Sequence, residues 1–147
     1  YKMKVEKELH VTGKEFFDEI AIAVMADYKR NTNKTIHVSQ IKPGLKYKKK
    51  MKGRGLRQND VAIKVINFIP NQLYSVRFTS DVDTTLVTYT LLQEKDDAIV
   101  IEYSERYEMN QNSLLNPEEF QKKRTIKKFE RLLSTIEKEI LRKRKNA

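Results

Sequence analysis

The rhythm of apolar residues changes along this chain from alternation to a helical period, back to alternation, and finally to a second helical period. That order constrains the fold more than any other feature. Met3, Val5, Leu9 and Val11 alternate with Lys4, Glu6, Glu8 and His10, and Lys7 interrupts the apolar side. This is the period-2 pattern of a half-buried strand over residues 3–11. Thr12-Gly13-Lys14-Glu15 then matches a capping box, in which the Thr hydroxyl accepts from an early helix N–H and the Glu reaches back to the cap's own N–H. Phe17, Ile20, Ala21, Val24 and Tyr28 follow on one face, widened by Phe16 and Met25, as a core-facing helix requires. The polar stretch Arg30-Asn31-Thr32-Asn33-Lys34 ends this helix near Lys29, and a short irregular or helical piece occupies Val38 to Ile41 before Pro43-Gly44.

From Leu45 the rhythm is that of strands. Leu45, Tyr47 and Met51 point one way and Lys46, Lys48, Lys50 and Lys52 the other, with Lys49 breaking the apolar side. Gly53-Arg54-Gly55 supplies a turn, and Val61 to Ile69 forms a β-branched strand that stops at Pro70-Asn71. Further strands run over Leu73 to Thr79, Thr84 to Glu94 and Ala98 to Met109, separated by the polar turns at Asp81 to Asp83 and Lys95-Asp96-Asp97. Connections this short make consecutive strands antiparallel neighbours. Asn116-Pro117-Glu118-Glu119 pairs a favoured cap with proline at the first helical position and acids against the helix dipole. Phe120, Phe129, Leu132, Leu133, Ile136 and Ile140 make the apolar stripe of the closing helix, which is roughly 40 Å long if it reaches Arg144. Cations crowd its first half, from Lys122 to Arg131, and Arg142-Lys143-Arg144-Lys145 ends it, where positive charge suits the dipole.

The 147 residues suit one domain, and 39% hydrophobic residues suffice for a core. Cysteine is absent, which excludes a disulfide framework, a thiolate metal site and a thiol nucleophile, and fits a cytoplasmic location. The longest apolar run, Ile20 to Ala26, is far short of the roughly 20 residues that cross a bilayer, so neither a membrane span nor a signal peptide is expected. The formal charge of +10 attracts nucleic acid, anionic lipid or acidic protein without choosing among them.

Met3-Lys4-Val5-Glu6-Lys7-Glu8-Leu9, leading directly into a helix opening Thr12-Gly13-Lys14-Glu15-Phe16-Phe17, resembles the entry to the START/Bet v 1-like (SRPBCC) helix-grip superfamily. Pro70-Asn71-Gln72-Leu73-Tyr74, the strands Thr85-Leu86-Val87-Thr88-Tyr89 and Ile101-Glu102-Tyr103-Ser104-Glu105, and the long last helix agree with it. More closely, the whole chain looks like a small family of uncharacterised proteins from Gram-positive bacteria known as a domain of unknown function. The resemblance implies an α+β helix-grip fold in β-α-β(n)-α order, with residues 1–147 as one domain. A curved antiparallel sheet would wrap around the C-terminal helix, and the cavity between them would take a small apolar or amphipathic ligand. Members of the superfamily serve as carriers, receptors, cyclases and chaperone activators, so the fold leaves the task open. The run Lys48-Lys49-Lys50-Met51-Lys52 is unusually basic for that fold.

Tyr74, Phe78, Tyr89, Tyr103 and Tyr107 on strands, with Phe129 and Leu133 on the last helix, are the candidate cavity lining, because a tyrosine offers an apolar body and one hydroxyl. The alternative is that these side chains simply fill the core. Glu105 falls on the side of Tyr103 and Tyr107, where an unpaired buried carboxylate would cost several kcal/mol. It therefore lies near a sheet edge, pairs with a cation such as Arg77 or Arg106, or belongs to a polar pocket, and edge exposure is the expectation. The candidate basic patch is Lys46, Lys48, Lys50, Lys52, Arg54 and Arg57, facing a nucleic acid or an acidic protein, although Tyr47 on the other side leaves it without a stacking ring. His10 and His37 stand alone without metal-ligand spacing and read as surface residues. No metal, cofactor or catalytic residue is expected; an enzymatic role stays open, and no residue pattern recommends one.

Overall fold

The computed structural model describes residues 2–52, 58–109 and 118–146, with side chains at all of these except 51, 52, 58, 59 and 118–125. Strand β1 (Lys2–Leu9) leads into helix α1 (Gly13–Thr32), and a short 3-10 helix (Val38–Gln40) follows. Strands β2 (Lys46–Lys52), β3 (Gln58–Ile69), β4 (Leu73–Thr79), β5 (Asp83–Glu94) and β6 (Ile99–Met109) precede helix α2 (Glu118–Lys145). All strands join one antiparallel sheet in the order β1-β6-β5-β4-β3-β2. The chain enters at one edge, crosses to the other through α1, and meanders back until β6 closes against β1. The expected turn at Gly53-Arg54-Gly55 and the cap at Asn116-Pro117 lie outside the described residues.

The capping box at Thr12 forms as the residues predict: the Glu15 N–H donates to Thr12 Oγ1 at 3.1 Å, and the Thr12 N–H donates to Glu15 Oε1 at 2.9 Å. The first strand stops at Leu9 rather than residue 11. The His10 N–H donates instead to Glu137 of α2 at 2.7 Å, so the chain leaves the ladder to meet the helix. Helix α1 runs to Thr32, past the expected end near Lys29. The Asn31 and Thr32 side chains donate back to the carbonyls of Asp27 and Tyr28, and Asn33 caps the helix in the left-handed region at φ 60°. Short polar side chains that compete for backbone groups at a helix end here extend the last turn.

One face of the sheet is concave and apolar and carries Met3, Leu9, Ile63, Val65, Val76, Val87, Ile99 and Ile101, all buried. Phe16, Phe17, Ile20, Ala21 and Val24 of α1 and Phe129, Leu133 and Ile140 of α2 complete the core. Phe16 is wholly buried and central, while Met25 and Tyr28 flank it. Leu132, expected in the stripe of α2, is 41% exposed. It sits about 60° round the helix from Phe129, on the flank, and the unanticipated Ile126 packs against the core instead. The ladder shifts register between Val65 and Asn67 on β3 and between Leu91 and Gln93 on β5. Such bulges bend a strand and increase its twist, which is how a sheet comes to curve around a helix.

Candidate functional site

Strand register decides which side chains meet. Phe68 pairs with Tyr74, Tyr74 with Tyr89, Tyr89 with Tyr103, and Tyr103 with Val5, so one row of rings crosses the concave face. Ring centroids lie 5.9 Å apart for Phe68 and Tyr74, 6.2 Å for Tyr74 and Tyr89, and 5.4 Å for Tyr89 and Tyr103. Phe129 of α2 stands 4.4 Å from Tyr103, and Phe16 of α1 stands 6.2 Å from Tyr89, so both helices touch the row. Of the candidate lining, Tyr74, Tyr89, Tyr103 and Phe129 form this continuous aromatic chain, and Leu133 is wholly buried on the same helix face as Phe129. Phe78 and Tyr107 belong to a separate row, Ile63–Phe78–Thr85–Tyr107. Both are half-buried, and the Tyr107 hydroxyl donates to Asp83 at 3.0 Å.

Between these two rows runs a third, Val65–Val76–Val87–Glu105–Met3. Every member is apolar but Glu105. Edge exposure of Glu105 is thereby corrected: β6 lies between β5 and β1, and the side chain points under α2. Arg77 and Arg106 cannot reach it, because alternation puts both on the opposite face. Its Oε2 is buried and has no hydrogen-bond partner among the described residues. Burial raises the Glu105 pKa above the ordinary carboxylate value, and the charge of Lys128 on α2 and a hydrogen bond with Tyr103 offset only part of that. The hydroxyls of Tyr74 and Tyr89 also make no hydrogen bond among the described residues, and burial pushes both phenols well above their usual pKa. Among the described residues Glu105 Oε2 alone is a fully buried side-chain oxygen without a partner. Two phenols and a carboxyl of raised pKa, set in an apolar surround, can donate to or accept from a guest molecule's polar atoms.

The lysines that interrupt apolar alternation have partners on the helices. Lys49 Nζ donates to Asp27 of α1 at 2.8 Å, and the Tyr47 hydroxyl donates to the same carboxylate at 2.5 Å. Burial alone would raise the Asp27 pKa, but these two hydrogen bonds hold it below the usual carboxylate value. Lys7 Nζ donates to Ser134 of α2 at 3.0 Å, beside a shallow outer groove between β1 and α2 whose lining also includes Lys127, Arg131 and Lys138. Sequence reasoning missed both pairings because the partners are remote in the chain; the only signal was a charge out of phase.

The profile of a domain-of-unknown-function family, DUF3284, matches residues 3–116. The chain belongs to this family. No curated protein matches this DUF3284 chain. Among solved structures, Ara h 8.0201 is 14% identical and superposes with a TM-score of 0.67 over 96% of this chain and 97% of its own. A START superfamily protein from Mycobacterium smegmatis is 9% identical, with a TM-score of 0.64 and 96% and 97% coverage. A conserved protein from Geobacillus kaustophilus is 15% identical, with a TM-score of 0.67 and 97% and 96% coverage. The DUF3284 chain thus has the α+β START/Bet v 1-like helix-grip fold that its sequence resembles.

Of the candidate basic patch, Lys46, Lys48 and Lys50 are exposed on the convex face. Lys52 pairs its backbone with Gln58, while Arg54 and Arg57 lie outside the described residues. His10 and His37 are exposed, and the His37 ring accepts from the Ser39 N–H at 3.1 Å. Among the described residues no group of three His, Cys, Asp or Glu side chains is placed to hold a metal ion, and no helix is long and apolar enough to cross a membrane.

Proposed function

We propose that this protein is a non-catalytic module that binds a small amphipathic ligand between the concave face of the sheet and α2. The reading rests on one observation: the Glu105 Oε2 is buried without a partner among the described residues, in an otherwise apolar interior beside the row of tyrosine rings. A stranded buried polar atom costs the fold about 1–3 kcal/mol, a cost that a guest's polar group would relieve. The guest has a flat apolar body that lies along the aromatic row and at least one hydroxyl or amine that meets Glu105. Its affinity comes from burial and shape, with the polar contact fixing its orientation. Relatives of the same fold include a START superfamily protein, which is consistent with a binding role.

The experiment is a pair of measurements on Val87→Phe, the neighbour of Glu105 in its row. In an open cavity the extra ring is accommodated: the melting temperature stays near that of the parent, and binding of the neutral fluorescent probe N-phenyl-1-naphthylamine is lost. In a solidly filled core, overpacking destabilises by about 1–3 kcal/mol and the parent binds no probe. That second result would sink the proposal. Native mass spectrometry of the protein from its own host then identifies any molecule that occupies the site.

A further inference from the structure

The convex face, which the ligand site does not use, carries a line of cations that no single segment of sequence reveals. Register places Lys46 opposite Lys64, Lys64 opposite Arg77, Arg77 opposite Leu86, Leu86 opposite Arg106, and Arg106 opposite Lys2. Every strand but β5 contributes one cation to this row. At the usual spacing of about 4.8 Å between strands, the line is about 24 Å long. Lys2, Lys46, Lys64 and Arg106 are exposed and Arg77 is half-buried. Among the described residues no carboxylate pairs with Lys2, Lys46, Lys64 or Arg77, and only Arg106 has one near, Glu108 at 3.9 Å.

Like charges directly opposite on adjacent strands destabilise a sheet. Lys46, Lys64 and Arg77 are three in succession, so folding gains nothing from the arrangement. Charge is concentrated in this row, which holds five cations, while each flanking row holds one, at an edge strand. The row on one side is Asn67, Ser75, Thr88, Ser104 and Lys4, and the row on the other is Lys48, Ala62, Thr79, Thr84 and Glu108. A plane of anionic headgroups draws on cations spread over a face, whereas a phosphate chain follows a single concentrated row, and the half-buried Asn67 and Ser104 beside it can donate to the same phosphates. No aromatic ring stands on the convex face among the described residues, so bases have nothing to stack on and contact is confined to the backbone.

We infer that the convex face binds the sugar-phosphate backbone of a nucleic acid strand, without regard to sequence, along Lys46, Lys64, Arg77, Arg106 and Lys2. The test is fluorescence anisotropy of the full chain with labelled single-stranded oligonucleotides of two unrelated sequences. Both bind alike at low salt, and the logarithm of the binding constant falls against the logarithm of salt with a slope of up to about −3.5 for five cations engaged. The triple variant Lys64→Gln, Arg77→Gln, Arg106→Gln loses affinity at least about tenfold and flattens the slope by about 2. The control Lys127→Gln, Arg131→Gln, Lys138→Gln removes the same charge from the α2 groove and changes affinity less than about twofold. Melting curves of both variants verify that they are folded. Equal loss in the control would reduce the effect to net charge and overturn the inference. So would absence of binding at low salt, or stripe-dependent binding to phosphatidylserine vesicles with none to oligonucleotides.

Discussion

Glu105 shows how much one residue's meaning depends on its neighbours. A carboxylate seated between Val87 and Met3 favours the neutral form, so its folded pKa lies above the ordinary 4.5. As pH rises through the ordinary value the unfolded chain ionises first and gains stability relative to the folded one. Stability therefore falls across the window between the two pKa values and stays at the lower level above it. Glu105→Gln removes this term. The variant melts above the parent at pH 7, and the gap closes as pH drops below about 4.5, measurable by thermal melts across that range. A gap that is absent or reversed would mean that the chain itself satisfies the carboxylate. Alternation alone told which side Glu105 points to. It could not tell that β6 is flanked on both sides, because β1, the strand beside it, lies at the other end of the sequence.

The two helices are held by charges that read, in the sequence, as local. The C-terminal cations of α2 complement its dipole, yet Lys143 also pairs with Glu19, and Arg144 grips Glu15, both of α1. Glu15 thus completes the capping box and receives Arg144 Nε at 2.7 Å. Hydrogen bonding from Arg144 is the largest influence lowering its pKa, burial opposes it, and Thr12 assists, leaving the carboxyl at about 2 against an ordinary 4.5. The sign follows: this contribution is whole above pH 4.5 and is lost as pH falls towards about 2. Both side chains are partly exposed, so solvent screens the pair and its contribution is small. Arg144→Ala lowers the urea midpoint at pH 6, and the difference disappears near pH 2. A difference that persists unchanged there would show that Arg144 acts through packing. Asp27, between Tyr47, Lys49 and Arg30, ties α1 to β2 in the same manner. The caps, turns and helix faces were legible because each depends on residues within a few positions. These clasps were not, because their partners are distant in sequence.

At the scale of the molecule, the two faces of the sheet have separate duties. The concave face packs against the helices and contains the stranded Glu105 oxygen, while the convex face concentrates part of the +10 charge into one line. The line has a stability consequence that needs no partner: Lys64→Thr relieves two opposed cation pairs and raises stability by about 0.2–1 kcal/mol at low salt. The gain fades above about 0.5 M salt, where the screening length shrinks to a few ångströms. Denaturant titrations at two salt concentrations decide it, and a gain independent of salt would refute the electrostatic account. The order of rhythms in the sequence determined the elements, their antiparallel meander, and the side of each strand that faces the core. Those properties follow from periods of two and 3.6 residues and from short connections, which are local. Only the tertiary structure decided that β6 closes on β1, that bulges after Val65 and Leu91 curve the sheet, and which residues share a row. A row takes one residue from each of up to six strands, and its composition shifts wholly with a one-residue slip in register. No reading along the chain contains that information.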